Sequence, residues 1–70
     1  MEIRNLYTFL QVASTMNITR ASNILGYSQS SVSAHIQQLE LELGVQLFDR
    51  LGRGIARTQY GKDLIPYAHR

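Results

Sequence analysis

The stretch TRASNILGYSQSSVSAHIQQLELEL, Thr19 to Leu43, decides the fold. Its spacing predicts a short helix over about Thr19 to Leu25, a turn at Gly26-Tyr27-Ser28, and a longer helix over about Gln29 to Leu43. Two helices joined by a short Gly-containing turn form the helix-turn-helix signature. The second helix of such a unit lies in the DNA major groove. Val32, Ile36, Leu39 and Leu43 are spaced four, three and four apart, so one stripe of that helix faces a core. The opposite face carries Ser30, Ala34, Gln37 and Gln38, flanked by Ser31 and Ser33. These side chains are small or amide-bearing and uncharged, which suits close approach to another surface.

Around this pair the rest of the chain takes shape. Leu6, Phe9, Leu10, Ala13 and Met16 predict a first amphipathic helix over roughly Arg4 to Thr15, with Phe9 and Leu10 supplying much of the core. Asn17-Ile18-Thr19 breaks it, and Thr19 is the expected N-cap of the second helix. A helix N-terminus also offers free N–H groups to a phosphate, so Thr19 is a candidate contact. Gly26 and Gly44 sit where helices end in the left-handed region, and Ser28 is the expected cap of the third helix. After Val45, Leu47 and Phe48, the run through Asp49 to Arg57 predicts two short strands, with Arg53 between Gly52 and Gly54 at the hairpin tip. Thr58 can cap a last helix carrying Leu64, Ile65, Tyr67 and Ala68, which Pro66 should bend slightly.

Composition bounds the rest. Seventy residues allow one small domain, and with no Cys neither a disulfide nor a Cys-based zinc site supports it. Net charge is only +2. Yet Arg50, Arg53, Arg57 and Lys62 cluster where there is no Asp or Glu, the footprint of a phosphate-contacting surface or of a merely solvated face. Arg57 ranks below Arg53 as a DNA ligand, because it alternates to the same side as Ile55. There is no leader-like N-terminus and no membrane-spanning apolar run, so a cytoplasmic protein with no membrane partner is expected.

The motifs Thr19-Arg20-Ala21-Ser22, Leu25-Gly26-Tyr27-Ser28-Gln29, Val32-Ser33, Leu39-Glu40, Leu43-Gly44-Val45, Leu47-Phe48-Asp49-Arg50 and Thr58-Gln59-Tyr60-Gly61 resemble the DNA-binding domain of the LysR-type transcriptional regulators. The likeness covers essentially the whole chain. Ser30 stands where that family often has Pro, Ser22 replaces the second of an Ala pair, Ala34 a frequent Arg, His35 a frequent Gln, and Arg57 a Leu or Pro. The resemblance implies a mainly α fold: a winged helix-turn-helix of three helices and a short β-hairpin wing over residues 1–58. The start of a linker helix follows over 59–70. It implies sequence-specific binding of double-stranded DNA for transcriptional control. The candidate DNA contacts are Thr19, Gln29, Ser30, Ser31, Ser33, Ala34, Gln37, Arg50 and Arg53. Leu64, Ile65, Tyr67 and Ala68 are expected to pair with their twins in a homodimer, or a higher homo-oligomer in a full-length protein. A small-molecule coinducer would bind only an effector domain absent from this chain, so no cofactor site is expected.

Other chemistry finds little support. Ser31 and His35 lie one turn apart like a nucleophile and its base, but no orienting acid or oxyanion donors accompany them; an ordinary exposed histidine is expected. His35 and His69 lack partners for a metal site, and Gly52-Arg53-Gly54 lacks the spacing of a phosphate loop. No enzyme is expected. The stronger rival is a winged-helix module that binds protein, since fold alone does not set function. Only Leu41, pointing outward on the third helix, fits it. The DNA reading expects Leu41 to be covered by the dimer partner or the last helix.

Overall fold

The structure is a computed structural model that describes residues 2–51 and 54–68, except for the side chains of Arg50 and Leu51. The order is α1 (Ile3–Thr15), α2 (Ile18–Leu25), α3 (Gln29–Leu43), β1 (Phe48–Leu51), β2 (Gly54–Arg57) and α4 (Gln59–Ala68). The strands form one antiparallel hairpin in which Phe48 pairs with Arg57 and Leu51 with Gly54. Mainly helical with a hairpin wing, this is the expected winged helix-turn-helix. Gly52 and Arg53, expected at the wing tip, lie outside the described residues.

The core is formed by Phe9, Val12 and Ala13 of α1, Ala21 of α2, and Val32, Ile36 and Leu39 of α3, closed by Leu47 and Phe48. The rings of Phe9 and Phe48 meet at 5.5 Å, tilted by 45°. Two features differ from expectation. Leu10 is only partly buried, while Val12, Asn5 and Thr8 are fully buried. The cause is that α1 packs against α2, α3 and α4, so its buried arc is wider than a Leu6/Leu10 stripe and takes in polar positions. The apolar stripe of α3 also ends early: Leu43, in its last turn, is 37% exposed.

The ends of the helices are chemically defined. α2 begins two residues earlier than a Thr19 cap requires. Extended Asn17 is the N-cap, its Oδ1 accepting from the Arg20 N–H at 3.0 Å, and Thr19 lies inside the first turn. Ser28 caps α3 as expected, accepting from the Ser31 N–H at 3.1 Å. Gly26 and Gly44 adopt φ of 76° and 71°, and each N–H bonds back to the helix it terminates. α1 instead ends on Met16 at φ 53°, a left-handed conformation that a side chain adopts at a cost.

Three hydrogen-bonding groups join α3 to α4 through the start of the hairpin. The Glu40 carboxylate on α3 accepts from the Leu47 N–H at 2.7 Å and the Phe48 N–H at 3.3 Å. The Leu47 carbonyl accepts from the Thr58 N–H at 3.0 Å. Thr58 Oγ1 donates to the Gln46 carbonyl at 2.6 Å and accepts from the Gly61 N–H at 3.1 Å, capping α4. Gly61 lies so close to Leu47 that a Cβ there would collide with the Leu47 carbonyl oxygen. α4 runs through Pro66 to Ala68.

Candidate nucleic-acid interface

The face of α3 turned from the core begins at its N-cap. Ser28 Oγ bonds both Ser30 Oγ at 3.1 Å and Ser31 Oγ at 2.9 Å. Ser31 is half-buried and spends its polar groups on this cap, whereas Ser30 is exposed. Gln29, Ser30, Ala34, Gln37 and Gln38 are all exposed on successive turns. They form one surface, and no Lys or Arg occurs on this helix. Ser33 is half-buried, and with Gln37 it lines an open cleft of about 550 Å³ that also touches Phe48 and Ile55 of the hairpin. Thr19 is exposed in the first turn of α2. The backbone of Arg50 is in β1, but its side chain lies outside the described residues, as does Arg53. Arg57 is exposed at the far end of β2 while Ile55 packs against the core.

The surface continues to Leu41, which is 79% exposed, so the last helix does not cover it. On α4, Leu64, Ile65 and Ala68 are partly buried against this chain's own core. Tyr67 is exposed, and so are Tyr60, one turn before Leu64 on the same helix, and part of Leu43 at the end of α3. A shallow depression joins Leu43, Val45, Tyr60, Leu64 and Tyr67.

His35 is not the ordinary exposed histidine that its sequence context suggests. It is half-buried, its Nδ1 lies 2.9 Å from Oγ1 of the fully buried Thr8, and its ring meets Tyr27 edge-on at 5.1 Å. It therefore pairs with α1, and Ser31 pairs with Ser28. Partial burial, reinforced by the nearby Arg4 cation and opposed by Glu2, holds the His35 pKa below its ordinary value. A lowered folded-state pKa means that the unfolded chain takes up this proton first. The associated stability is complete above about pH 6.5, the ordinary histidine value, and is lost as the pH falls from there through the folded-state pKa. Thermal melting should accordingly shift downward on acidification through that window, and His35→Gln should remove this component. Parallel melting-versus-pH curves for the two proteins would show that the Thr8–His35 contact does not couple to folding.

Among the described residues, no group of His, Asp or Glu is placed to hold a metal ion, and no helix is long and apolar enough to cross a membrane.

The family model described as bacterial regulatory helix-turn-helix protein, lysR family, matches residues 3–62. The chain is 41% identical over 70 residues to the uncharacterized HTH-type transcriptional regulator YwqM of Bacillus subtilis (strain 168), covering all of this chain and 24% of that protein. It is 46% identical over 68 residues to the HTH-type transcriptional regulator HdfR of Salmonella newport (strain SL254), covering 97% of this chain and 24% of that one. The chain thus spans about a quarter of the length of these relatives. Among solved structures, it superposes on the CbnR_DBD–DNA complex with a TM-score of 0.95 at 38% identity, covering 100% of this chain and 80% of that one. For the BenM_DBD/catB site 1 DNA complex the TM-score is 0.92 at 38% identity, covering 99% and 78%.

Proposed function

The chain belongs to the lysR family of bacterial regulatory helix-turn-helix proteins, and on that footing we propose that it binds double-stranded DNA at a specific sequence, as the DNA-reading part of a transcriptional regulator. The observation that carries this is the exposed face of α3, which is small, polar and uncharged from its capped N-terminus through Gln38. A helix of that shape fits the major groove. Gln29 and Gln37 can each pair bidentately with an adenine edge, Ala34 can meet a thymine methyl, and Ser30 can bond either kind of base. Thr19 meets a phosphate at the start of α2, and Ser31 and Ser33 border the groove. Arg50 and Arg53 supply the positive charge that a neutral recognition helix lacks.

The proposal includes a homodimer built on residues 59–70. Tyr67 presents its exposed ring outward, and Leu64, Ile65 and Ala68 lie beneath, bridging the domain core and the partner. It extends to the whole regulator as a cytoplasmic protein, a homodimer or higher homo-oligomer, whose coinducer binds outside these residues. The exposure of Leu41 favours the rival, a protein-binding winged helix.

Selection of bound duplexes from a random pool tests both. The expected product is an inverted repeat whose half-sites are centred about one helical turn, roughly 34 Å, or a multiple of it apart. Gln29→Ala should then cost about 1–3 kcal/mol at one base position and relax the preference there. A pool that enriches no duplex at all would favour the protein-binding reading, and enrichment of a lone half-site would remove the dimer.

A further inference from the structure

Asn5 of α1 is fully buried. Its Nδ2 donates to Oε1 of Gln38 on α3 at 3.3 Å, while its Oδ1 is buried with no hydrogen-bond partner among the described residues. Native chains keep few such half-satisfied buried amides, because each loses its solvation without full replacement. What this one does is hold a long surface side chain. Gln38 is exposed, one helical turn beyond Ala34 and next to Gln37, so it belongs to the face assigned to DNA. A free glutamine samples many rotamers, and ordering it on binding weakens whatever contact it makes. The bond from Asn5 removes part of that freedom in advance. It also occupies the amide oxygen, so the group left to face outward is the NH₂, a pure donor.

We propose that Gln38 is a further DNA-contacting residue and Asn5 its positioning residue: the buried amide holds the glutamine so that its NH₂ donates to an acceptor atom of the duplex. That acceptor is a phosphate oxygen or a base edge such as guanine O6/N7 or thymine O4. The assignment rests on the DNA-binding reading above and adds to it a residue whose chemistry is set from beneath, by another helix.

The test measures equilibrium binding of the chain to the duplex enriched from the random pool and to a scrambled duplex. Gln38→Ala should weaken binding by ~3- to 10-fold, the scale of one neutral hydrogen bond, and melt lower than the parent chain, because the buried Asn5 amide loses its acceptor. Asn5→Leu replaces the half-satisfied amide by an apolar group of similar size. It should melt no lower than the parent chain, bind more weakly, and add nothing further when combined with Gln38→Ala. Stability maintained while affinity falls is the signature that a purely structural Asn5 does not give. Equal losses on the two duplexes identify a phosphate contact; a loss confined to the selected duplex, with relaxed preference at one base pair, identifies a base edge. Either result supports the assignment. Parent-level affinity in Gln38→Ala overturns it and leaves the DNA-binding reading standing, whereas no binding of any duplex by the parent chain overturns that reading itself. If Asn5→Leu melts low, Gln38→Glu decides. That change keeps an acceptor for Asn5 but turns the outward donor into a negatively charged acceptor, so binding weaker than in Gln38→Ala is expected, and binding equal to it overturns the proposal.

Discussion

Gly61→Ala should remove most of the chain's folding stability, although glycine-to-alanine changes inside helices usually stabilise. In an unencumbered helix the substitution gains up to about 1 kcal/mol from propensity. Here the added methyl would strike the carbonyl oxygen of Leu47 and lie 3.2 Å from its carbonyl carbon. The obstacle is backbone and cannot swing aside. Leu47 is 1% exposed, and its carbonyl is held by the Thr58 N–H at 3.0 Å. Relief requires α4 to lift from the base of the hairpin, uncovering Leu64 and Ile65. Overpacking of this kind costs about 1–3 kcal/mol and occasionally more, and a rigid backbone partner puts it at the upper end. A chain of this size has only about 3–5 kcal/mol in total. Chemical denaturation of both forms gives the answer in its sign: stabilisation by Gly61→Ala would mean that α4 is not seated against Leu47 in solution.

Glu40→Ala should be at least as damaging, for the opposite reason, since it leaves donors without an acceptor. The carboxylate takes the N–H groups of Leu47 and Phe48, two residues of the core. Hydrogen bonds to a charged group contribute about 1.5–3 kcal/mol, and the orphaned donors add their own penalty, so a loss of about 2–4 kcal/mol is expected. Glu40→Gln retains an amide oxygen for the same donors and should fall between. The ordering Glu, Gln, Ala in urea midpoints, at a constant denaturant slope, is the diagnostic. If Gln and Ala both match the parent chain, the carboxylate contributes nothing to the hairpin.

Neither effect was visible in the sequence, and the reason is geometric. Local signals were legible: Gly26, Gly44, Ser28 and Thr58 each terminate or cap a helix where their residue type indicated, and the small polar face of α3 was plain from its spacing. Contacts that depend on tertiary approach were not. Glu40 reaches seven residues ahead to Leu47, just before β1, and Gly61 is glycine because the carbonyl of that same residue, fourteen positions earlier, lies against it. Residue type pointed to Thr19 as the α2 cap, yet Asn17, two positions earlier and of an equally good capping type, takes that place. Buried Asn5 and Thr8 were hidden by their polarity, which periodicity counts as solvent-facing, and the same blindness made His35 look like an ordinary surface residue. Of the candidate contacts, Gln29, Ser30, Ala34 and Gln37 share one exposed surface, while Ser31 and Ser33 turn partly inward.

The chain of bonds from Glu40 through Leu47 to Thr58 also has a mechanical meaning. It runs from α3, by way of Leu47, the buried residue just before β1, to Thr58, the cap of α4, with hydrogen bonds of 2.7 and 3.0 Å as its links. Gly61 presses against the middle of it. Among the described residues, this route consists of direct hydrogen bonds and one close backbone approach, so a shift of α4 against the base of the hairpin bears on the same carbonyl that links to α3. A tilt of α4 about its first turn would therefore reach α3 as a displacement of its exposed polar face, without passing through any side-chain contact of the core.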